Sequence, residues 1–313
     1  MTTVLQGVLG SLLDGGLLQD ATGLLQGLLD AGNLTQVTAL IGGLLTVVSP
    51  SDVTALVGAL VTGLLAAGDV AQALGLLDGL LSDGLVAQAV TVVTSLLASG
   101  QVGQVVDVLG GLLADGQVGG VVSLLQNLIV SGSVTQANVL LGGLVGDLLA
   151  AGSIPQASAL LQGLLSGGLV TQAVNVARSL LAAGQIAGVV DSLGALVAEG
   201  RYGRVVSLVD GLIDSGAARA ANRLARGLAA DLVAAGSIIQ TSTLLQRLLA
   251  KDLTSPVKSV VRSLVKGGQL RAVVTILNRL VAAGFRPEVR AIVRSLVRSG
   301  VPELRPYLRT LRR

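Results

Sequence analysis

The sequence predicts an all-α chain: an alpha-solenoid of about nineteen short antiparallel helices, with 16-residue units grouped in 84-residue blocks. Three observations predict it. Residues 69–152 lie over residues 153–236 without a gap, and 48 of the 84 positions are identical. Glycines cut the chain at fixed steps. Between the cuts, apolar residues recur with the 3.6-residue period of a helix. The blocks are 1–68, 69–152, 153–236 and 237–313, and together they read as a single repeat array over residues 1–313.

The cutting residues run from Gly16, Gly32 and Gly68 through Gly84, Gly100, Gly116, Gly132 and Gly152. They continue through Gly168, Gly184, Gly200, Gly216 and Gly236 to Gly268, Gly284 and Gly300. Asp252 fills one slot, and the Ser49-Pro50-Ser51 turn fills another. In the complete blocks the step is 16 residues four times and then 20 once. A Gly just past the last periodic residue takes the left-handed conformation that ends a helix. Residues 69–84 show one unit: Val70, Ala73, Leu74, Leu77, Leu80 and Leu81 share a face, which Leu76 widens. Gln72, Gly75, Gly79 and Ser82 fall opposite. Gly75 and Gly79 admit a close-packed helix seam or a plain small-residue face where neighbours touch or water sits. The second is favoured, because 43 glycines produce such spacings often.

Several units open on a capping box: Asn33…Gln36, Asp69…Gln72, Ser133…Gln136, Ser153…Gln156 and Ser237…Gln240. Pro155 sits in a first turn, where its missing N–H is not needed. Helices of about 12 residues are marginal alone and need neighbours. Five per block is an odd number. Successive blocks are therefore either inverted or compact five-helix units.

The turns Leu180-Leu181-Ala182-Ala183-Gly184-Gln185-Ile186 and Leu280-Val281-Ala282-Ala283-Gly284-Phe285-Arg286-Pro287-Glu288 resemble the joints of helical-hairpin repeats of the tetratricopeptide and pentatricopeptide type. Two units here make 32 residues, against about 34 in a tetratricopeptide pair. The resemblance implies an architecture. The polar residues with which pentatricopeptide arrays read RNA bases have no counterpart in this Leu/Val/Gly background.

The mean hydropathy of +0.79 is high. Helices of about 12 residues reach only about 18 Å, whereas a spanning helix needs about 20 apolar residues. No spanning helix is expected, and Met1-Thr2-Thr3 lacks the positive region of a signal peptide. The chain is placed in the cytoplasm by default. There is no Cys, His or Trp, and the rings are Tyr202, Phe285 and Tyr307. No disulfide, thiolate site, imidazole base or Cys nucleophile is available. The Asp residues recur singly near unit ends, as turn or surface groups. No catalytic residue, metal site, cofactor or small-molecule substrate is therefore predicted. The narrow alphabet fits a designed or recently duplicated sequence.

Charge is the asymmetric feature. Residues 1–152 hold ten Asp and no Lys or Arg; residues 153–235 hold six Arg and five acids. Residues 236–313 hold fifteen Lys or Arg and three acids. Lys258, Arg262 and Lys266 lie four apart, as do Arg286, Arg290, Arg294 and Arg298. Each set forms a stripe on one helix face. These residues, with Arg305 and Arg309 of the tail, are the candidate anion-binding set. A solvated face or a polar terminal cap, which also uses Arg312 and Arg313, explains them too. The predicted function is a non-catalytic scaffold acting by surface contact on a protein partner or on itself, head to tail. Binding of a nucleic-acid backbone or acidic lipid through the C-terminal block is one alternative, and lipid or membrane-surface association through the excess apolar surface is the other.

Overall fold

The computed structural model describes residues 2–311, so Arg312 and Arg313 lie outside the described residues. It divides into two compact units, Met1–Gln156 and Ala157–Arg313. Unit 1 holds α1 (Thr2–Asp14), α2 (Leu18–Asp30), α3 (Leu34–Leu44), α4 (Pro50–Ala67) and α5 (Val70–Ser82). It continues with α6 (Val86–Ala98), α7 (Val102–Ala114), α8 (Val118–Val130) and α9 (Val134–Ala150). The division falls inside α10 (Ile154–Gly167). Unit 2 goes on with α11 (Val170–Ala182), α12 (Ile186–Ala198), α13 (Tyr202–Asp214), α14 (Ala218–Ala234) and α15 (Ile238–Leu249). It ends with α16 (Thr254–Lys266), α17 (Leu270–Ala282), α18 (Arg286–Arg298), a 3-10 turn at Pro302–Leu304 and α19 (Arg305–Thr310). Among the described residues there is no strand.

The joints are made by backbone. Gly84 N–H donates to the Leu81 carbonyl at 3.1 Å and Leu85 N–H to the Leu80 carbonyl at 2.8 Å. This paired closure requires a left-handed residue after the helix. Gly84 has φ 76°, and every cutting glycine from Gly16 to Gly300 has positive φ. Asp252, in its slot, has φ 57° and is the non-glycine with positive φ among the described residues.

The capping boxes are not made. Asn33, Asp69, Ser133 and Ser237 precede their helices with no side-chain cap bond, at ψ between 43° and 54°. A side-chain cap needs a more extended backbone. Each of these residues follows a left-handed glycine, and its own N–H closes the preceding helix, so it is not free to extend. Ser49 sits in the joint that has neither such a glycine nor Asp252. It is extended, at φ −65° and ψ 145°, and accepts from the Asp52 N–H at 3.2 Å.

Packing follows a simple rule. In unit 1 each helix touches the next, and each also touches the next but one. The odd helices α1 to α9 therefore form one row, and the even helices α2 to α8 form another. In unit 2, α11, α13, α15 and α17 form one row; α12, α14, α16 and α18 form the other. The 20-residue step makes α4 and α9 long, at 18 and 17 residues. One lies in the even row and the other in the odd row. Successive blocks in unit 1 are thus inverted, not compact five-helix units. Unit 2 repeats this, since α11 matches α16 one block on and the two lie in different rows.

The glycine seam is real. A Cβ on Gly79 would lie 2.6 Å from Thr38 Cγ2, and one on Gly75 would lie 3.0 Å from Leu34 Cδ2. The same fit recurs at Gly143 against Val106, Gly211 against Val174 and Gly227 against Val190. Each pair joins neighbours of one row, so these glycines set how closely a row packs. The core is Leu and Val, with Leu56, Leu60, Leu64, Leu76, Leu77 and Leu80 fully buried. Each such side chain contributes about 1.5–3 kcal/mol of burial. Helix α4 departs from the length expectation: with 18 residues and a mean hydropathy of 1.5, it is long and apolar enough to cross a membrane. Its Val53, Leu56, Val57, Leu60, Val61 and Leu64 are instead buried within unit 1.

Candidate anion-binding face

Helix α16 buries Val257, Val260, Val261, Leu264 and Val265. Four-residue spacing leaves Lys258, Arg262 and Lys266 on its other side; Lys266 is exposed, and Lys258 and Arg262 are half-buried. Helix α18 does the same. Val289, Ile292, Val293 and Leu296 face inward, Arg286, Arg294 and Arg298 are exposed, and Arg290 is half-buried. The two stripes belong to adjacent helices of one row. Seven of the nine predicted residues thus share a face.

The third helix of that face was not foreseen. Helix α14 packs beside α16 and carries Arg219, Arg223 and Arg226, all exposed; Arg226 lines the groove with α16, whereas Arg219 and Arg223 line a groove with Arg178 of α11, in the other row. These arginines sit among five acids in residues 153–235, so segment charge concealed them. The usable signal was distance along the chain, because row neighbours lie about two units apart. Asn222 and Ser255, 33 residues apart, show it: the amide Nδ2 donates to the hydroxyl at 3.2 Å. Arg305 and Arg309 do not join the face. They lie on α19, where the Tyr307 hydroxyl donates to Asn278 Oδ1 of α17 at 2.9 Å.

Two grooves run along the face. One, of about 540 Å³, lies between α14 and α16 and is lined by Asn222, Arg226, Ser255, Lys258, Arg262 and Lys266, among others. The other, of about 620 Å³, lies between α16 and α18 and is lined by Lys258, Glu288, Ile292 and Ser295, among others. Arg262 Nη2 donates to Ser299 Oγ at 2.5 Å.

The charge is uncompensated. Helices α14, α16 and α18 carry ten Lys or Arg against Asp231 and Glu288. The facing row of α11, α13, α15 and α17 carries five against two, so the excess is one-sided. Among the described residues the ion pair present is Arg201 Nε to Glu199 Oε2 at 3.2 Å, away from this face. Buried Nε atoms of Arg262 and Arg290 have no hydrogen-bond partner, nor has Glu288 Oε2. Lys266 and Arg298 stand in the last turns of their helices, where the dipole favours a cation. Arg286 lies toward Tyr307. Burial pushes the Tyr307 phenol above its ordinary value, and the Arg286 guanidinium partly offsets this. Among the described residues no three of His, Cys, Asp and Glu gather in a metal-holding group.

Rows, joints and glycine seams together define an all-α helical-repeat array. No family model matches the chain, and no curated protein does. Among solved structures, the crystal structure of the P58(IPK) TPR domain aligns over 90% of this chain and 99% of that one, at 11% identity. Its TM-score is 0.15, so the likeness carries no argument about fold or partner.

Proposed function

We propose that the chain is a non-catalytic helical-repeat scaffold acting by surface contact, and that its working surface is the α14–α16–α18 face, which takes an anionic polymer. The observation that carries this reading is ten cations on three neighbouring helices without one ion pair among them. Like charges held together repel, and a polyanion relieves that repulsion while releasing its own counterions. The test is anisotropy of labelled heparin over a salt titration. Binding should weaken steeply with salt, and the exposed-residue variant Lys266→Gln/Arg294→Gln/Arg298→Gln should weaken it at least tenfold at 0.1 M salt, about 1.4 kcal/mol or more in all. Heparin binding that ignores both salt and the variant would sink the reading.

Head-to-tail self-association is the second reading. Unit 1 carries ten Asp and no cation, so a second copy brings a polyanion of its own. Sedimentation velocity at low salt should then show concentration-dependent association that high salt abolishes.

A further inference from the structure

We infer that the polymer held by this face is double-stranded nucleic acid, gripped by its phosphates without base readout; this rests on the reading above. The donors are of the right kind. Arg and Lys, with hydroxyl and amide side chains beside them, are the usual phosphate contacts. The α14–α16 groove brings Arg226, Lys258, Arg262 and Lys266 together with Asn222 and Ser255.

The layout selects a duplex. Four residues along a helix rise about 6 Å, and row neighbours stand about 8–10 Å apart. The cations therefore form two parallel stripes, on α16 and α18, with Arg226 of α14 beside them, across some 16–20 Å. A duplex offers two phosphate lines separated by grooves of about 6 and 12 Å. A single strand offers one line and is normally held by stacking its bases on rings. This face has no ring to offer. Tyr307 is buried, Tyr202 lies on α13, and Phe285 lines a groove with α13 and α15 of the other row. A membrane is disfavoured for a different reason. Surface helices that enter lipid carry an exposed apolar face beside the basic one. The exposed large apolar residues of the described chain, such as Val4, Val130 and Ile239, include none on α14, α16 or α18. An acidic polypeptide matches the charge but not the line spacing of a duplex.

The test compares five probes with the full chain at equal ionic strength: duplex DNA, duplex RNA, a mixed-sequence single strand, poly-glutamate and phosphatidylserine vesicles. One or both duplexes should bind tightest, with little dependence on sequence. With about six phosphate contacts, the log–log salt slope should be about −5. Arg226→Gln/Arg262→Gln/Lys266→Gln should lower that slope by about 3 and weaken binding by roughly 100-fold at 0.1 M salt. Arg262→Lys should keep the slope, and Arg305→Gln/Arg309→Gln, off the face, should change neither quantity by more than about one contact. Should the triple variant lose helix content, the exposed-residue variant Lys266→Gln/Arg294→Gln/Arg298→Gln takes its place. Poly-glutamate, vesicles or the single strand binding as tightly as the duplexes would overturn the inference and leave the scaffold reading standing. Duplex affinity indifferent to the variants would also overturn it. If neither heparin nor any of the five probes binds, both fall together.

Discussion

At Gly79 a single methyl group decides the sign of a mutation. Alanine is the better helix former by about 1 kcal/mol, but here its Cβ would meet Thr38 Cγ2 at 2.6 Å. Gly79→Ala should therefore destabilise by about 1–3 kcal/mol, the usual result of overpacking. Gly111 of α7 has nothing within 4 Å, and Gly111→Ala should stabilise by about 0.5–1 kcal/mol. Urea unfolding midpoints that move the same way for both would contradict the seam. Asp252 is a second residue-scale test. Its φ of 57° is strained for any side chain, so Asp252→Gly should stabilise by about 1 kcal/mol, read as a higher urea midpoint. The two kinds of glycine differ in legibility. A joint glycine answers a local backbone need and shows directly in sequence spacing. A seam glycine answers a side chain on another helix, and nothing near Gly79 in sequence reports Thr38.

Helix ends and helix faces were legible to different depths. The ends were placed by spacing, yet their chemistry was misassigned: backbone closure around the left-handed residue leaves no room for side-chain boxes at Asn33 or Ser133. The stripes on α16 and α18 were legible because four-residue spacing is a property of one helix. Arg226 was not, because only packing brings α14 beside α16. Helix α19 gives an element-scale prediction. Its Tyr307 is buried and donates to Asn278 Oδ1, which requires the neutral phenol. Burial raises the folded pKa, while an unfolded tyrosine ionises near pH 10. With the folded value the higher, the docking contribution is complete below about pH 10 and is lost as pH climbs through the folded pKa. The thermal midpoint should fall above about pH 10, and Tyr307→Phe should flatten that fall. Phenolate absorbance should show the variant missing its late-titrating step.

On the scale of the whole molecule, the repeat is one helix and not a hairpin. Apart from the one at Ser49, the joints are the same backbone closure, and within each unit the helices of both rows pack on their next and next-but-one neighbours. The five-helix block already places matching sequence in opposite rows, as α1 and α6 show. Parity should therefore not matter to stability. Deleting residues 101–116 removes α7 and its joint, yet leaves every later residue at the same place within its unit. Gly143, which now meets Val106, would then meet Val90 at the same step back along the chain. The deletion variant should lose helix content in proportion to the residues removed and still unfold cooperatively. Deleting only residues 101–108 removes half as much chain and should do more harm. The remnant of α7 is too short to hold a helix, so the neighbours of α7 in both rows lose their packing partner while a fragment of the chain is left unpacked. Far-UV circular dichroism and urea titration of the two variants decide the matter. If the single-unit deletion collapses while removal of residues 101–132 is tolerated, the hairpin is the true unit.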